Sequence, residues 1–334
     1  MPASRSRTRA PWLRLIALMA ALAMFVAACG DDDDTDTSTD DTSADTDTDT
    51  DTDSDSDDGE QASGSIEAVE PFFPVDAEGN EVLPCGGYGF RLEDGDFYEA
   101  FNEQLNAFRE DGTTMDIITG YEDFSEADVE KANELSASDM ASNANANMES
   151  GSGTLAELQE AGSITIGIAN EVPFGFTGED GEATGIAPDV AKAVLAELGI
   201  TEVEANVVEF GQLIGGLQAG QYDMIAAGMY INEERAEQIL FSDPDYCIAE
   251  GLAVPAGNPE GIVDYNSFVD NPDLTLAVAT GTVEVGYAED AGIPDDQLQV
   301  FADIDSMYAA LEAGEVDAVT GTAATVQRQV DARS

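Results

Sequence analysis

The sequence predicts an α/β fold built as two modest lobes, and three observations carry the prediction. From Ser163 onward, short apolar runs alternate with amphipathic helical runs, the order that makes parallel sheets covered by helices. Glycines stand where those helices should end, at Gly199, Gly220, Gly292 and Gly314. About 270 residues remain after a low-complexity leader, enough for two lobes with cores of their own.

The leader has two parts. Arg5, Arg7, Arg9 and Arg14 precede an apolar run, Leu15–Ala28, too short for a permanent span but the length of a signal peptide, placed at 1–28. It ends in Val26-Ala27-Ala28-Cys29, which resembles the lipobox of bacterial lipoproteins. That resemblance implies that Cys29 is diacylated and becomes the mature N-terminus, and two acyl chains suffice for stable anchoring. Residues 29–65 are then an acidic tether of Asp, Thr and Ser. Such a segment buries too little to offset its ordering entropy, and its like charges repel. It lacks the Gly-centred spacing of a calcium loop, so a solvated spacer is the reading.

Charge and cysteine usage narrow the chemistry. Without the signal arginines and the tether's sixteen acids, the folded part keeps 54 acidic residues against 7 basic ones. Nucleic acid is excluded as a natural partner. Such a surface suits high salt, where screening limits self-repulsion. The chain has no His, which removes His-based catalysis and His-ligated metal. With Cys29 given to lipid, Cys85 and Cys247 are left as an even pair, a candidate disulfide outside the cytoplasm.

The elements follow in order. Extended pieces over Ile66–Phe73 and Val82–Leu92 lead into a helix, Phe97–Glu110, and further helical runs reach about Ala137. Residues 141–152, rich in Asn, Gly and Ser, read as a flexible linker. A helix-capable lead over Thr154–Gly162 precedes strands at Ile164–Ala169, Val203–Glu209, Asp223–Gly228, Cys247–Val254, Leu274–Ala279, Gln299–Phe301 and Val316–Thr320. Between and after them come helices at Pro188–Leu198, Gln212–Ala219, Glu233–Ile239, Val283–Ala291, Ser306–Ala313 and Ala323–Val330.

Residues 153–334 carry "ITIGIANEVPFGF", "GIAPDVAKAVLAELG", "LIGGLQAGQYDMIAAGMYINEERAEQILFSDPDY" and "LEAGEVDAVTGT". With these runs the chain resembles the extracytoplasmic solute-binding proteins of ABC importers, in the polar amino-acid and ectoine class, and within it the ectoine/hydroxyectoine binders. The resemblance implies a two-lobe periplasmic-binding-protein-like fold joined by two crossing strands, the first near Cys247–Val254. It further implies circular permutation. The run "VLPCGGYGFRLEDGDFYEAFNEQLNAFREDG" looks like the family's closing segment, yet it stands near the start. Lobe II is then 66–90 with 250–334, lobe I is 91–140 with 153–249, and 141–152 joins the family's former termini. Cys85 and Cys247 would fall on neighbouring crossing strands, where a disulfide would staple the hinge.

A small cyclic zwitterion asks for a bidentate cation for its carboxylate, aromatic faces for its delocalised cation, and an anionic acceptor for its N–H groups. Glu171 and Phe174 follow the first strand, Phe210 the second and Tyr230 the third, with Arg235 five residues beyond. Loops after parallel strands converge on one cleft. By resemblance, Phe174, Phe210 and Tyr230 match an aromatic cage, Arg235 the carboxylate-binding Arg, and Glu171 the acceptor for ring nitrogens. From lobe II, Thr280-Gly281-Thr282 stands at a strand–helix junction whose backbone N–H groups could meet the carboxylate on closure. Amino-acid binders commonly place an Asp five residues after the Asp of "VDAV"; here that position is Thr322, and Glu284 is the candidate substitute.

The function implied is a non-enzymatic, lipid-anchored, monomeric receptor that delivers ectoine or hydroxyectoine to an ABC permease, without cofactor or metal. A polar amino acid or betaine is the alternative solute. A dehydratase of the same fold would need a general acid/base, for which Glu171 is the evident candidate. A sensory role shares the same cleft.

Overall fold

The structure, a computed structural model, describes residues 66–149, 151 and 153–334. The expected signal peptide, the expected lipidation site Cys29 and the expected tether lie outside the described residues, as do two positions of the 141–152 segment. Among the described residues no helix is long and apolar enough to cross a membrane.

The chain begins its described course with β1 (Ile66–Ala68), then passes to β2 (Cys85–Phe90) and the helices α1 (Gly95–Asp111), α2 (Thr113–Ile118), α3 (Glu126–Asn133) and α4 (Ala137–Met140). Next come α5 (Thr154–Ala161), β3 (Ser163–Ile168), the short β4 (Phe176–Thr177) and β5 (Ala183–Thr184), α6 (Ile186–Glu197), β6 (Glu202–Val207) and α7 (Leu213–Gln218). The first sheet is completed by β7 (Met224–Tyr230), α8 (Glu233–Ala236), β8 (Leu240–Phe241) and β9 (Tyr246–Cys247). The chain then enters β10 (Glu250–Pro255), α9 (Asn266–Asp270), β11 (Leu276–Ala279), α10 (Glu284–Ala291), β12 (Leu298–Phe301), α11 (Ile304–Glu312), β13 (Ala318–Thr322) and α12 (Ala323–Arg333).

Two main sheets result, one per lobe. In lobe I the strand order is β6-β3-β7-β2-β8, with β9 also on β2; in lobe II it is β1-β10-β13-β11-β12. The expected parallel pairing holds for β3 with β6 and β7, and for β11 with β12 and β13. It fails for β2, β10 and β1, which pair antiparallel. These strands flank the crossings, so they run against the βα units they join. Both sheets are therefore mixed.

The crossings settle where β2 lies. Phe72 and Glu250 exchange both backbone hydrogen bonds, Ile248 N–H donates to the Pro84 carbonyl, and Cys85 stands opposite Cys247. Two chain segments thus run side by side between the lobes. Cys85–Phe90, expected with lobe II, belongs to the lobe I sheet between β7 and β8, because its backbone groups pair there. Cys85 and Cys247 are joined by a disulfide with S–S 2.06 Å across a sequence separation of 162 residues. Closing so long a loop in the unfolded chain is worth up to about 5 kcal/mol in the chain-entropy account.

α1 shows how sequence pattern becomes packing. Phe97, Phe101 and Leu105 recur every four residues and are fully buried, stacking on Phe90 of β2 at 5.2 Å for both phenylalanines. Gly112 ends the helix with φ +91°, which an L side chain resists. This helix shares one core with Ile164, Ile166, Val190, Val194 and Met224, so the region before the linker is part of lobe I rather than a separate globule. Phe101→Ala would cost about 3–5 kcal/mol there.

The segment 141–149 is packed where a flexible linker was expected. Ala141 is buried, and the Asn145 amide both donates to the Phe241 carbonyl (3.0 Å) and accepts from its N–H (2.9 Å). Asn143 donates to the Glu233 carbonyl. The Asn145 amide satisfies the open edge of β8 and Asn143 ties the segment to α8, uses that composition does not reveal.

Candidate functional site

A cavity of about 410 Å³ lies between the lobes. Lobe I contributes the loop after β3, the loop after β6 and the end of β7; lobe II contributes the β11–α10 junction, α11 and the β13–α12 junction. The ends of parallel strands open into it from both sides, as expected for an open α/β sheet.

Arg235 is the positive group of this cavity. Asn232 caps the one-turn helix α8 by accepting from the Arg235 N–H at 2.9 Å, which fixes the backbone. The guanidinium is buried and sits over the Phe210 ring, 5.4 Å from its centroid. Its Nη1 donates to the Tyr230 carbonyl at 2.8 Å and its Nη2 to the Gly281 carbonyl at 3.0 Å. The second bond reaches into lobe II, so Arg235 ties the lobes together as well as facing the cavity. Burial lowers its pKa, while the Glu284 charge works to keep it protonated.

Glu171 and Glu284 supply the negative side. Glu171 Oε1 accepts from the Thr325 hydroxyl at 2.7 Å, another contact between lobes. Burial pushes the Glu171 carboxyl up to about 7; the Thr325 bond lowers it and the Glu284 charge raises it. Glu284 begins α10, is buried and lines the cavity, and its Oε2 has no hydrogen-bond donor.

The three aromatics prove unequal. Phe210 is partly exposed, beneath Arg235. Tyr230 is 4% exposed and lines the cavity, with a hydroxyl that has no partner. Phe174 is 1% exposed and belongs to an aromatic cluster, its ring 5.8 Å from Phe124 and 5.5 Å from Tyr246. Gly228 lets it sit there, because a Cβ at that position would lie 2.5 Å from the Phe174 ring. Phe174 forms the wall behind the cavity more than a face within it.

The lobe II junction also differs from expectation. The Thr280 N–H donates to the Phe301 carbonyl at 2.8 Å and the Thr282 N–H to the Ala279 carbonyl at 3.4 Å. Both amides are committed to the fold, and the two hydroxyls donate to the same carbonyls. Gly281 presents its carbonyl to Arg235. Thr322 lines the cavity, but its hydroxyl caps α12 by accepting from the Thr325 N–H at 3.2 Å.

Sequence reasoning passed over several groups. Thr325 and the cavity-lining Tyr308, whose hydroxyl has no hydrogen-bond partner, lie on helices with no local signal of a site. Glu250 carried one: a single charge inside the apolar crossing run "CIAEGLAVP". It is fully buried.

Comparison with known proteins fits this geometry. The family model for bacterial extracellular solute-binding proteins, family 3, matches residues 164–290. A probable amino-acid ABC transporter periplasmic-binding protein of Sinorhizobium fredii, y4tE, is 36% identical over 177 residues, covering 52% of this chain and 58% of that protein. The ABC transporter glutamine-binding protein GlnH of Bacillus subtilis is 30% identical over 183 residues, covering 54% and 65%. The chain thus spans less than two thirds of the length of these relatives. The crystal structure of EhuB in complex with hydroxyectoine is similar at 38% identity and a TM-score of 0.51, over 54% of this chain and 70% of that one. With the two-lobe α/β fold and the matched run 164–290, this chain belongs to the bacterial extracellular solute-binding proteins of family 3.

Proposed function

We propose that this chain is a non-enzymatic solute receptor of an ABC importer, and that its cleft takes ectoine or hydroxyectoine. One observation carries the reading. A cavity of solute size is lined by the buried Arg235 guanidinium, the buried Glu284 carboxyl, the half-buried Glu171 carboxyl and aromatic residues that include Phe210 and Tyr230. Arg235 offers the planar fork a carboxylate needs, Glu171 and Glu284 accept from the N–H groups of a cation, and the rings cover its delocalised face. The position where amino-acid binders carry an Asp is Thr322, whose hydroxyl is spent on a helix cap. The likeness to a hydroxyectoine complex points the same way.

The mechanism is lobe closure. Contacts between lobes surround the cavity: Glu171 with Thr325, Arg235 with Gly281, and Gly211 against Thr280 and Gly281. A solute that draws Arg235 and the carboxyls together favours the closed form, and the closed form is what a permease receives.

The lipid anchor and the permutation belong to the same proposal. A receptor outside the cytoplasm needs retention at the membrane, and Val26-Ala27-Ala28-Cys29 supplies it. Cys29→Ser should release the protein from the membrane fraction. The permutation accounts for why the family match begins at Ile164 while β2 and α1, far upstream, complete the lobe I sheet and core. Domain termini often lie close together, which allows such rejoining.

Calorimetric titration of the full chain in high salt with ectoine, hydroxyectoine, glycine betaine and L-glutamine tests the solute. Binding of ectoine well ahead of glutamine supports the proposal. Glutamine ahead of ectoine would establish the second reading, a polar amino-acid receptor, which the names of the curated relatives favour.

A further inference from the structure

Glu250 opens β10, at the point where the chain crosses between lobes, and is fully buried. Among the described residues, neither of its carboxylate oxygens has a hydrogen-bond donor. An ionised carboxylate left so costs several kcal/mol, so the fold must neutralise it. The Glu284 carboxyl lies within hydrogen-bonding reach of Glu250, and its Oε2 also lacks a donor. Two ionised carboxylates can only accept. Two carboxyls with one proton between them form a hydrogen bond and shed one charge.

The surroundings make this pair part of the cleft. Glu284 lines the cavity, and beside it the Tyr230 hydroxyl, nine-tenths buried and lining the same cavity, is also unpartnered. The groups that face Glu250 are Glu284 and Tyr287 of α10, Glu171 after β3, Tyr230 at the end of β7, Tyr246 of β9 and Tyr265 before α9. Arg235 stands near Glu284. Burial first, then the charges of Glu284 and Glu171, holds the Glu250 carboxyl well above the usual carboxylate range.

We propose that Glu250 keeps a proton and donates it to the Glu284 side chain, and that an N–H-bearing cationic group of the solute displaces that proton to solvent. Glu284 meets the cation, and Glu250 is its positioning partner. The inference rests on the reading of the cleft as the site of a small zwitterion. Its balance is simple: the solute's positive charge takes the place of the proton's, Glu250 becomes a carboxylate, and one proton leaves. A quaternary ammonium has no N–H to donate and leaves the proton in place.

The experiment has two arms on the full chain. Titration calorimetry at pH 7 in phosphate and in Tris, buffers of different ionisation heat, counts protons released on binding ectoine, L-glutamine or glycine betaine. The wild type should release about one proton with an N–H-bearing solute and none with betaine, and Glu250→Gln should still bind while losing most of that release. Without solute, the wild-type Tm should fall more steeply between pH 5 and 9 than that of Glu250→Gln, because the folded pair keeps a proton that unfolded glutamates lose near pH 4. Should Glu250→Gln not fold, the apolar near-isostere Glu250→Met replaces it in the pH series. Equal proton counts with parallel Tm curves overturn the proposal. If none of the three probes binds, the solute reading fails instead, and the Tm curves alone decide the pair: parallel curves reject it and a flattened variant curve keeps it.

Discussion

Arg328 of α12 grips Asp123 across the two lobes, its Nε at 2.8 and 2.9 Å from the two carboxylate oxygens and its Nη2 at 2.6 Å from Oδ2. The pair joins residues 205 apart in sequence and neither residue lines the cavity, so under the proposed closure it would act without touching a solute. Bidentate geometry favours it, but the Arg328 side chain is 41% exposed and screening discounts the gain.

Arg328→Ala should therefore weaken solute affinity by roughly 2–5-fold, equivalent to less than about 1 kcal/mol. The loss should appear in the dissociation rate, since closure traps the solute, with Tm nearly unchanged. Stopped-flow release of bound solute measures it. An unchanged off-rate would show that this ion pair does not hold the lobes closed.

Under the same reading, closure would depend on two glycines. A Cβ on Gly281 would lie 2.6 Å from the Gly211 Cα, and one on Gly211 would lie 2.8 Å from the Thr280 carbonyl oxygen. These are backbone obstacles that no rotamer relieves. Gly211→Ala, free of the positive φ that burdens Gly281 (+78°), should keep the fold but hold the lobes apart. We expect at least a tenfold loss of affinity with a Tm shift of only a few degrees, and a larger radius of gyration with solute present. Full affinity in this variant would mean that the lobes need not meet here.

Stability should fall as pH rises through neutrality. Burial pushes the Asp245 carboxyl up to about 6, against a hydrogen bond from the Tyr88 hydroxyl and the Arg109 charge, and it pushes Glu171 up to about 7. A raised folded-state pKa contributes stability that is complete below the unfolded value near 4 and lost as pH climbs through the folded value. Across pH 4–8 each group should cost on the order of 3 kcal/mol. The Tm measured at pH 5.5 should exceed that at pH 8, and Asp245→Asn should narrow the gap. A Tm that rises over this interval would refute the assignment.

How much of this was legible depended on the distance over which each fact is decided. The period of the apolar runs is local, and it placed β3, β6, β7, β11 and β13 to within a few residues. The convergence of Glu171, Phe210, Tyr230 and Arg235 on one cavity follows from strand order, which the alternation already implied. Phe174 was different. Its burial depends on Phe124 and Tyr246 from remote segments and on the missing side chain of Gly228. The Thr325–Glu171 bond spans 154 residues, and no local pattern marks it. Asn145 read as linker because its role, capping the edge of β8, exists only once that edge is built.

The structure sorts the aromatic residues into two kinds, and mutation should do the same. Phe174→Ala removes a ring from a packed cluster, so it should cost about 3–5 kcal/mol of stability and change affinity mainly through misfolding. Phe210→Ala removes the face beneath the Arg235 guanidinium; each cation–π contact is worth roughly 0.5–2 kcal/mol, so affinity should drop 2–30-fold while Tm holds. Tyr230→Phe deletes only an unpartnered hydroxyl, and should leave stability level or higher while weakening a solute that hydrogen-bonds to it. Arg235→Ala should lose more affinity than all three, for it leaves a ligand carboxylate unpaired, at about 2–5 kcal/mol, and also cuts the bond to the Gly281 carbonyl. Arg235→Lys should recover part of the loss, since an ammonium cannot reproduce the fork. Calorimetry and thermal melts on these five variants give the comparison. Were Phe174→Ala to keep its Tm and lose affinity while Phe210→Ala did the reverse, the roles assigned to the two rings would have to be exchanged.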